Sequence, residues 1–103
     1  MKRPRIPPDV LEDAASVLRA VGHPLRLRLL EILEQKGEAN VTTLCEASGA
    51  PQPLVSQQLA RLRHEGVLAA KREGSQVFYH IVRPEVLGLL DCVRRSSRGG
   101  RSS

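Results

Sequence analysis

The sequence predicts a mainly α-helical domain with one short β-hairpin, in the order ααααββα. Three observations lead there. Of 103 residues, 41% are hydrophobic but only 2% are aromatic, so the core must be built from Leu, Val, Ile and Ala. Five segments repeat apolar residues at three- and four-residue intervals, the spacing that lines one face of a helix. One stretch, Gln76 to Val82, alternates with the period of two that belongs to a strand.

The chain has the length of a single domain, expected over residues 9–95 between basic, flexible tails at 1–8 and 96–103. Lys2, Arg3 and Arg5 at one end, and Arg94, Arg95, Arg98 and Arg101 at the other, are seven cations with no acid among them. The net charge is +5, so the segment from Asp9 to Val93 is left at −2. Basicity is therefore local. Flexible basic arms can follow phosphates, while a Ser/Gly/Arg-rich tail such as RSSRGGRSS equally serves solubility. No apolar run approaches the roughly 18 residues of a membrane span, and MKRPRIPPD lacks the apolar segment of a signal peptide. A cytoplasmic protein is expected, and in that compartment two cysteines are free thiols.

Taken in order, Pro4, Pro7 and Pro8 extend the tail, and Asp9 is placed to N-cap a first helix from Val10 to Val21. That helix has a wide apolar face of Val10, Leu11, Ala14, Ala15, Val17, Leu18 and Val21. Gly22, His23 and Pro24 break it. Pro24 then starts a second helix, PLRLRLLEILEQK, whose Leu25, Leu29, Ile32 and Leu33 form a stripe widened by Leu27 and Leu30, a central core element ended by Gly37. After a loop from Gly37 to Val41, Thr43 and Glu46 stand in capping-box spacing for a short helix from about Thr42 to Ser48. Gly49 supplies the turn.

The next helix, from Ala50 to Gly66, directs Leu54, Val55, Leu59 and Leu62 to one side. Its other side carries Pro53, Ser56, Gln57, Ala60 and His64, with Arg61 and Arg63 at the margins and no carboxylate before Glu65. Such a face serves either as an ordinary solvated surface or as a reader of a nucleic-acid groove. Gln can bond a base edge in bidentate fashion, Ser and Arg can bond base or phosphate, and small residues permit close approach. Its neighbours favour the second use: a short helix, a Gly turn and a longer helix with a polar outer face make a helix-turn-helix.

Val67 to Lys71 and Gln76 to Val82 read as strands joined around Arg72-Glu73-Gly74-Ser75, so the hairpin is a wing. Lys71 and Arg72 near its tip could reach phosphate, or could simply charge an edge against pairing; Glu73 beside them repels phosphate. Pro84 starts a last helix, PEVLGLLDCVRR, with Val86, Leu87, Leu90 and Val93 on one side. Together with the first helix this is more apolar surface than a small domain buries alone. A symmetric homodimer through the first and last helices is implied, with recognition helices about 34 Å apart and a palindromic double-stranded DNA operator.

The segments LRAVGHPLRLRLLEIL and TTLCEASGAPQPLVSQQLARLRHEGVLAAKREGSQVFYHI resemble the ArsR/SmtB family of dimeric winged-helix repressors. The Gly-His-Pro-x-Arg entry, the Val-Ser-x-x-Leu recognition helix, Leu-Arg-x-x-Gly-Val-Leu and the wing ending in Phe-Tyr-His-Ile carry the likeness, from about Val10 to Val93. It implies repression by the ligand-free dimer, release on sensing an inducer, and Gln52, Ser56, Gln57 and Arg61 facing DNA.

Family members with a metalloid site carry Leu-Cys-x-Cys on the first helix of the helix-turn-helix, whereas this chain has Leu44-Cys45-Glu46-Ala47. Zinc-type members place Asp, His and Glu pairs along the last helix, where this chain offers Arg83, Pro84 and Glu85, then Arg95, Ser96 and Ser97. Neither metal site is intact, and His23, His64 and His80 read as structural or DNA-facing. No cofactor is implied. Cys45 and Cys92 resemble the sulfide- and redox-responsive branch, which implies a thiol sensor answering a reactive sulfur species. Against this stands the common use of free Cys as a small buried hydrophobe. A soft-metal sensor using both thiolates and a winged helix serving as a protein-interaction module are the alternatives. No nucleophile-base pair or phosphate loop suggests an enzyme.

Overall fold

The computed structural model describes residues 3–100; Lys2, Arg101 and the side chain of Arg98, counted above among the tail cations, fall outside that description. The order is α1 (Pro8–Val21), α2 (Pro24–Lys36), α3 (Val41–Ser48), α4 (Gln52–His64), β1 (Leu68–Glu73), β2 (Gln76–Ile81) and α5 (Pro84–Gly100). The ααααββα architecture expected from the sequence is the one observed.

α2 is the centre. Its Leu29, Leu30, Ile32 and Leu33 are buried, and α3, α4, α5 and β2 all pack against it. Around them close Val17, Ala20 and Val21 of α1, Leu44 of α3, Val55, Leu59 and Leu62 of α4, Val67 and Leu68 at the start of the wing, and Val86 and Leu90 of α5. This core is aliphatic throughout, as the composition required.

Several helix ends differ from expectation for local reasons. α1 begins at Pro8, and the Pro7 carbonyl accepts from the N–H groups of both Val10 and Leu11 at 3.1 Å. Asp9 is therefore not the N-cap but a first-turn acid, favourable at the positive end of the helix. α3 begins at Val41 because Asn40 caps it, its Oδ1 accepting from the Thr43 N–H at 2.9 Å. No Thr43/Glu46 capping box forms. α4 spans Gln52–His64, two residues shorter at each end than expected, and closes with the Val67 N–H on the Leu62 carbonyl and the Gly66 N–H on that of Arg63. α5 runs past its expected end at Arg95 to Gly100. Arg94 is held within it by Glu34 at 2.7 Å and Asp91 at 2.8 Å, so it is an ion-paired helix residue rather than a free tail cation.

The helix faces also differ in detail. On α4, Leu54 is 39% exposed, and the inward position expected for it is taken by Gln58, 8% exposed. Arg26 explains this: its Nε donates to Gln58 Oε1 at 2.6 Å and its Nη1 to the Ala20 carbonyl at 2.9 Å. One guanidinium thus joins α1, α2 and α4. Val10, Leu11 and Leu18 of α1 and Leu87 and Val93 of α5 stay exposed, which leaves both helices with an unburied apolar flank.

Arg26→Ala should lower stability by about 1–3 kcal/mol, because Gln58 and the Ala20 carbonyl lose their partner where water has little access. Urea denaturation should show a lower midpoint with an unchanged slope.

Candidate nucleic-acid interface

α3, the turn at Gly49 and α4 form the helix-turn-helix. Gly49 is left-handed at φ 76°, a conformation costly for residues with a Cβ, and its N–H caps α3 on the Cys45 carbonyl at 2.8 Å. The chain then enters α4 through Pro51, with Pro53 inside the first turn, where its missing N–H breaks no helical bond.

With Val55, Gln58, Leu59 and Leu62 turned inward, α4 presents Gln52, Pro53, Gln57, Ala60, Arg61, Arg63 and His64 to solvent, and Ser56 lies half-buried beside them. Gln52 Nε2 donates to Ser56 Oγ at 3.3 Å, one turn apart. Arg61 meets Glu65 at 3.5 Å across the helix end. The amides and hydroxyl therefore occupy the N-terminal half of the face and the cations its C-terminal half. This is a surface with donors and acceptors for base edges and charge for phosphates.

The wing corrects one expectation. β1 continues to Glu73, so the turn is only Gly74-Ser75, with Gly74 at φ 65°. A two-residue hairpin turn requires that left-handed geometry. Lys71 is in the strand as expected, opposite Phe78, and Arg72, expected in the turn, joins it opposite Val77, one pair before the Glu73–Gln76 pair that closes the hairpin. Lys71 Nζ sits 3.0 Å from Glu38 and 3.4 Å from Glu73. Hydrogen bonds to Glu38 and then Glu73 hold its ammonium above the ordinary 10.5. Arg72 is exposed and, among the described residues, has no ion-pair partner.

The other candidate residues are dispersed. His23 Nδ1 accepts from the Leu25 N–H at 3.2 Å and caps α2, His64 ends α4, and His80 is half-buried in β2 with its Nδ1 enclosed and unpaired. Among the described residues no three His, Cys, Asp or Glu side chains converge as a metal site would need. Both thiols are free, Cys45 half-buried against the core and Cys92 exposed. Cys92 lies two residues beyond Leu90 and so turns roughly 200° away from the buried side of α5. No disulfide joins the two. Sequence reasoning missed Arg26, Gln58 and Asn40, and only the Arg in the Gly-His-Pro-x-Arg entry hinted at the first of them.

A helix-turn-helix followed by a hairpin, with an outward helix free of carboxylates, defines a winged helix-turn-helix DNA-binding domain. Residues 23–69 match the family model described as bacterial regulatory protein, arsR family. The chain is 36% identical over 80 residues to the transcriptional repressor PagR of Bacillus anthracis, covering 78% of this chain and 80% of PagR. The PagR crystal structure superposes with a TM-score of 0.76, over 82% of this chain and 97% of that one. The crystal structure of the AntR antimony-specific transcriptional repressor gives 0.82 at 32% identity, over 95% of this chain and 91% of that one. The homodimeric winged helix-turn-helix domain of Mb0332 from Mycobacterium bovis gives 0.74 at 27% identity, over 97% and 92%. The chain belongs to the arsR family of transcriptional regulators; it is a regulator, not an enzyme. No helix among the described residues is long and apolar enough to cross a membrane.

Gln57→Ala should reduce discrimination between a cognate and a base-substituted duplex by about 1–3 kcal/mol while leaving the salt dependence alone. Arg72→Ala should weaken binding to both duplexes and make the slope of log K against log salt shallower by about 1. Anisotropy titrations at several salt concentrations separate the two.

Proposed function

We propose that the chain is a homodimeric repressor that reads a palindromic operator with α4, supports that contact with the wing, and lets go when an inducer is sensed. The observation that carries this is the face of α4 from Gln52 to His64: amides, a hydroxyl and cations, without a carboxylate, on a helix whose back is fixed to the core. Gln52, Pro53, Ser56, Gln57, Arg61, Arg63 and His64 are assigned to DNA, with Arg72 on the phosphates of the wing side. Support for the dimer comes from the exposed apolar flanks of α1 and α5 and from the homodimeric Mb0332 neighbour.

The inducer reading rests on Cys45 and Cys92. Cys92 is open to solutes, and Cys45 stands on α3, one glycine turn from the reading helix. The Cys92 thiolate attacks the terminal sulfur of an organic persulfide, forming a Cys92 persulfide and releasing the organic thiol. The Cys45 thiolate then attacks the Cys92 sulfur and expels hydrosulfide, which leaves a disulfide. The persulfide is the oxidant, and the two thiols supply two electrons. Because Cys92 faces away from the core, closing the bridge within a protomer requires α5 to turn on α2. That turn would alter the spacing of the two recognition helices in a dimer built on α1 and α5. Likeness to a repressor named as antimony-specific favours a second reading, capture of a soft metalloid by the same thiolates.

The test is operator affinity by fluorescence anisotropy on reduced protein and the upstream DNA of its own gene. Binding should be tight, be lost after organic persulfide treatment, and persist in treated Cys45→Ser and Cys92→Ser variants. Loss with antimonite alone would favour thiolate coordination. Unchanged binding under every treatment would remove both cysteines from sensing.

A further inference from the structure

Three consecutive residues of the α2–α3 loop are fastened to the wing, each by a different kind of bond. Glu38 meets the Lys71 ammonium at 3.0 Å. Ala39, 3% exposed, exchanges both backbone hydrogen bonds with Tyr79, its N–H on the Tyr79 carbonyl at 3.1 Å and the Tyr79 N–H on its own carbonyl at 2.9 Å. Asn40 Nδ2 donates to Gln76 Oε1 at 2.5 Å. The loop is in effect a third strand, one residue pair long, on the outer edge of β2.

Asn40 has two tasks. Its Oδ1 is already engaged on the Thr43 N–H as the cap of α3, so only its Nδ2 is available to the wing. One planar amide therefore holds the first helix of the helix-turn-helix with one atom and the first residue of β2 with the other. Gln76 lies next to the Gly74-Ser75 turn, at the far end of the hairpin from its anchorage at Val67 and Leu68. A two-stranded hairpin is marginal by itself, and its free end is where it would sway. The Asn40–Gln76 bond acts at that end.

We infer that Asn40 and Gln76 are positioning residues for DNA binding: their side-chain bond fixes the wing to α3, so that the wing meets phosphate while α4 is seated in the groove. Lys71 belongs to the same fastening, since its charge is committed to Glu38 and Glu73. Arg72 is then the wing cation that the fastening aims. Rigid attachment lowers the ordering cost that a loose wing would incur on binding.

This inference rests on the DNA-binding reading, and its experiment separates the two. Gln76→Ala removes the tether without touching the cap; Asn40→Ser keeps a capping oxygen and removes the Nδ2 donor. Each variant and the double variant should melt near the wild-type temperature and bind the operator roughly three- to ten-fold more weakly. The salt slope should be shallower by about 1 in all three, and the double variant should be no worse than either single one. In DNA-free protein, heteronuclear NOE values at Gly74 and Ser75 should fall in each. Wild-type binding that Gln76→Ala leaves unchanged in affinity and slope would overturn the inference alone, as would weakening by Asn40→Ser that Gln76→Ala does not share. Wild-type protein that binds no duplex would overturn the DNA-binding reading as well.

Discussion

The guanidinium of Arg26 joins three helices in a core that otherwise offers only Leu, Val, Ile and Ala. It donates to the last turn of α1 through the Ala20 carbonyl and to α4 through Gln58. Aliphatic packing stabilises burial but discriminates weakly between neighbouring registers, since cores of similar volume repack readily. A half-buried donor with two fixed acceptors has one good geometry, and losing it leaves polar groups unpaired. The rotation of α4 about its own axis is set this way. That rotation determines which residues face outward, and hence that Gln57 and Arg61 are exposed while Gln58, their neighbour in sequence, is not.

On the other side of the reading helix the same logic recurs in the wing. β1 grows out of the end of α4 through the buried Val67 and Leu68, and the Val82 N–H returns to the Val67 carbonyl at 3.0 Å, closing the base of the hairpin. The α2–α3 loop secures its flank. At the α1–α5 side, Arg83 joins Asp13 of α1 and Glu85 of α5; hydrogen bonding from Arg83 holds the Glu85 carboxyl below its ordinary 4.5. The reading head is thus a preorganised unit between two helices whose outer flanks remain apolar.

Most of this architecture was legible in the sequence, because its signals are local. The α2 stripe, the glycine at 49, the alternation of β2 and the carboxylate-free face of α4 each follow from neighbours within a turn or two. What could not be read depends on partners distant in the chain. Gln58 has the composition of a surface residue, and only Arg26, 32 residues earlier, makes its burial tolerable. Ala39 joins the sheet through backbone atoms alone, so no side-chain pattern announces it. Asn40 rather than Thr43 caps α3, a choice between two good capping types that the rest of the loop decides. Leu54 falls on the apolar stripe that periodicity draws along α4 but projects outward, since a stripe three residues wide does not specify its own centre.

Amide chemical shifts, followed by heteronuclear NMR while a duplex from the gene's own upstream region is titrated in, give the most direct test of how this fold meets DNA. Perturbations should concentrate on the outward residues of α4 between Gln52 and His64 and on Arg72 of the wing, and fade along α1. Shifts confined to the exposed apolar flanks of α1 and α5, with α4 unaffected, would contradict a DNA-reading α4 and make those flanks the contact surface instead.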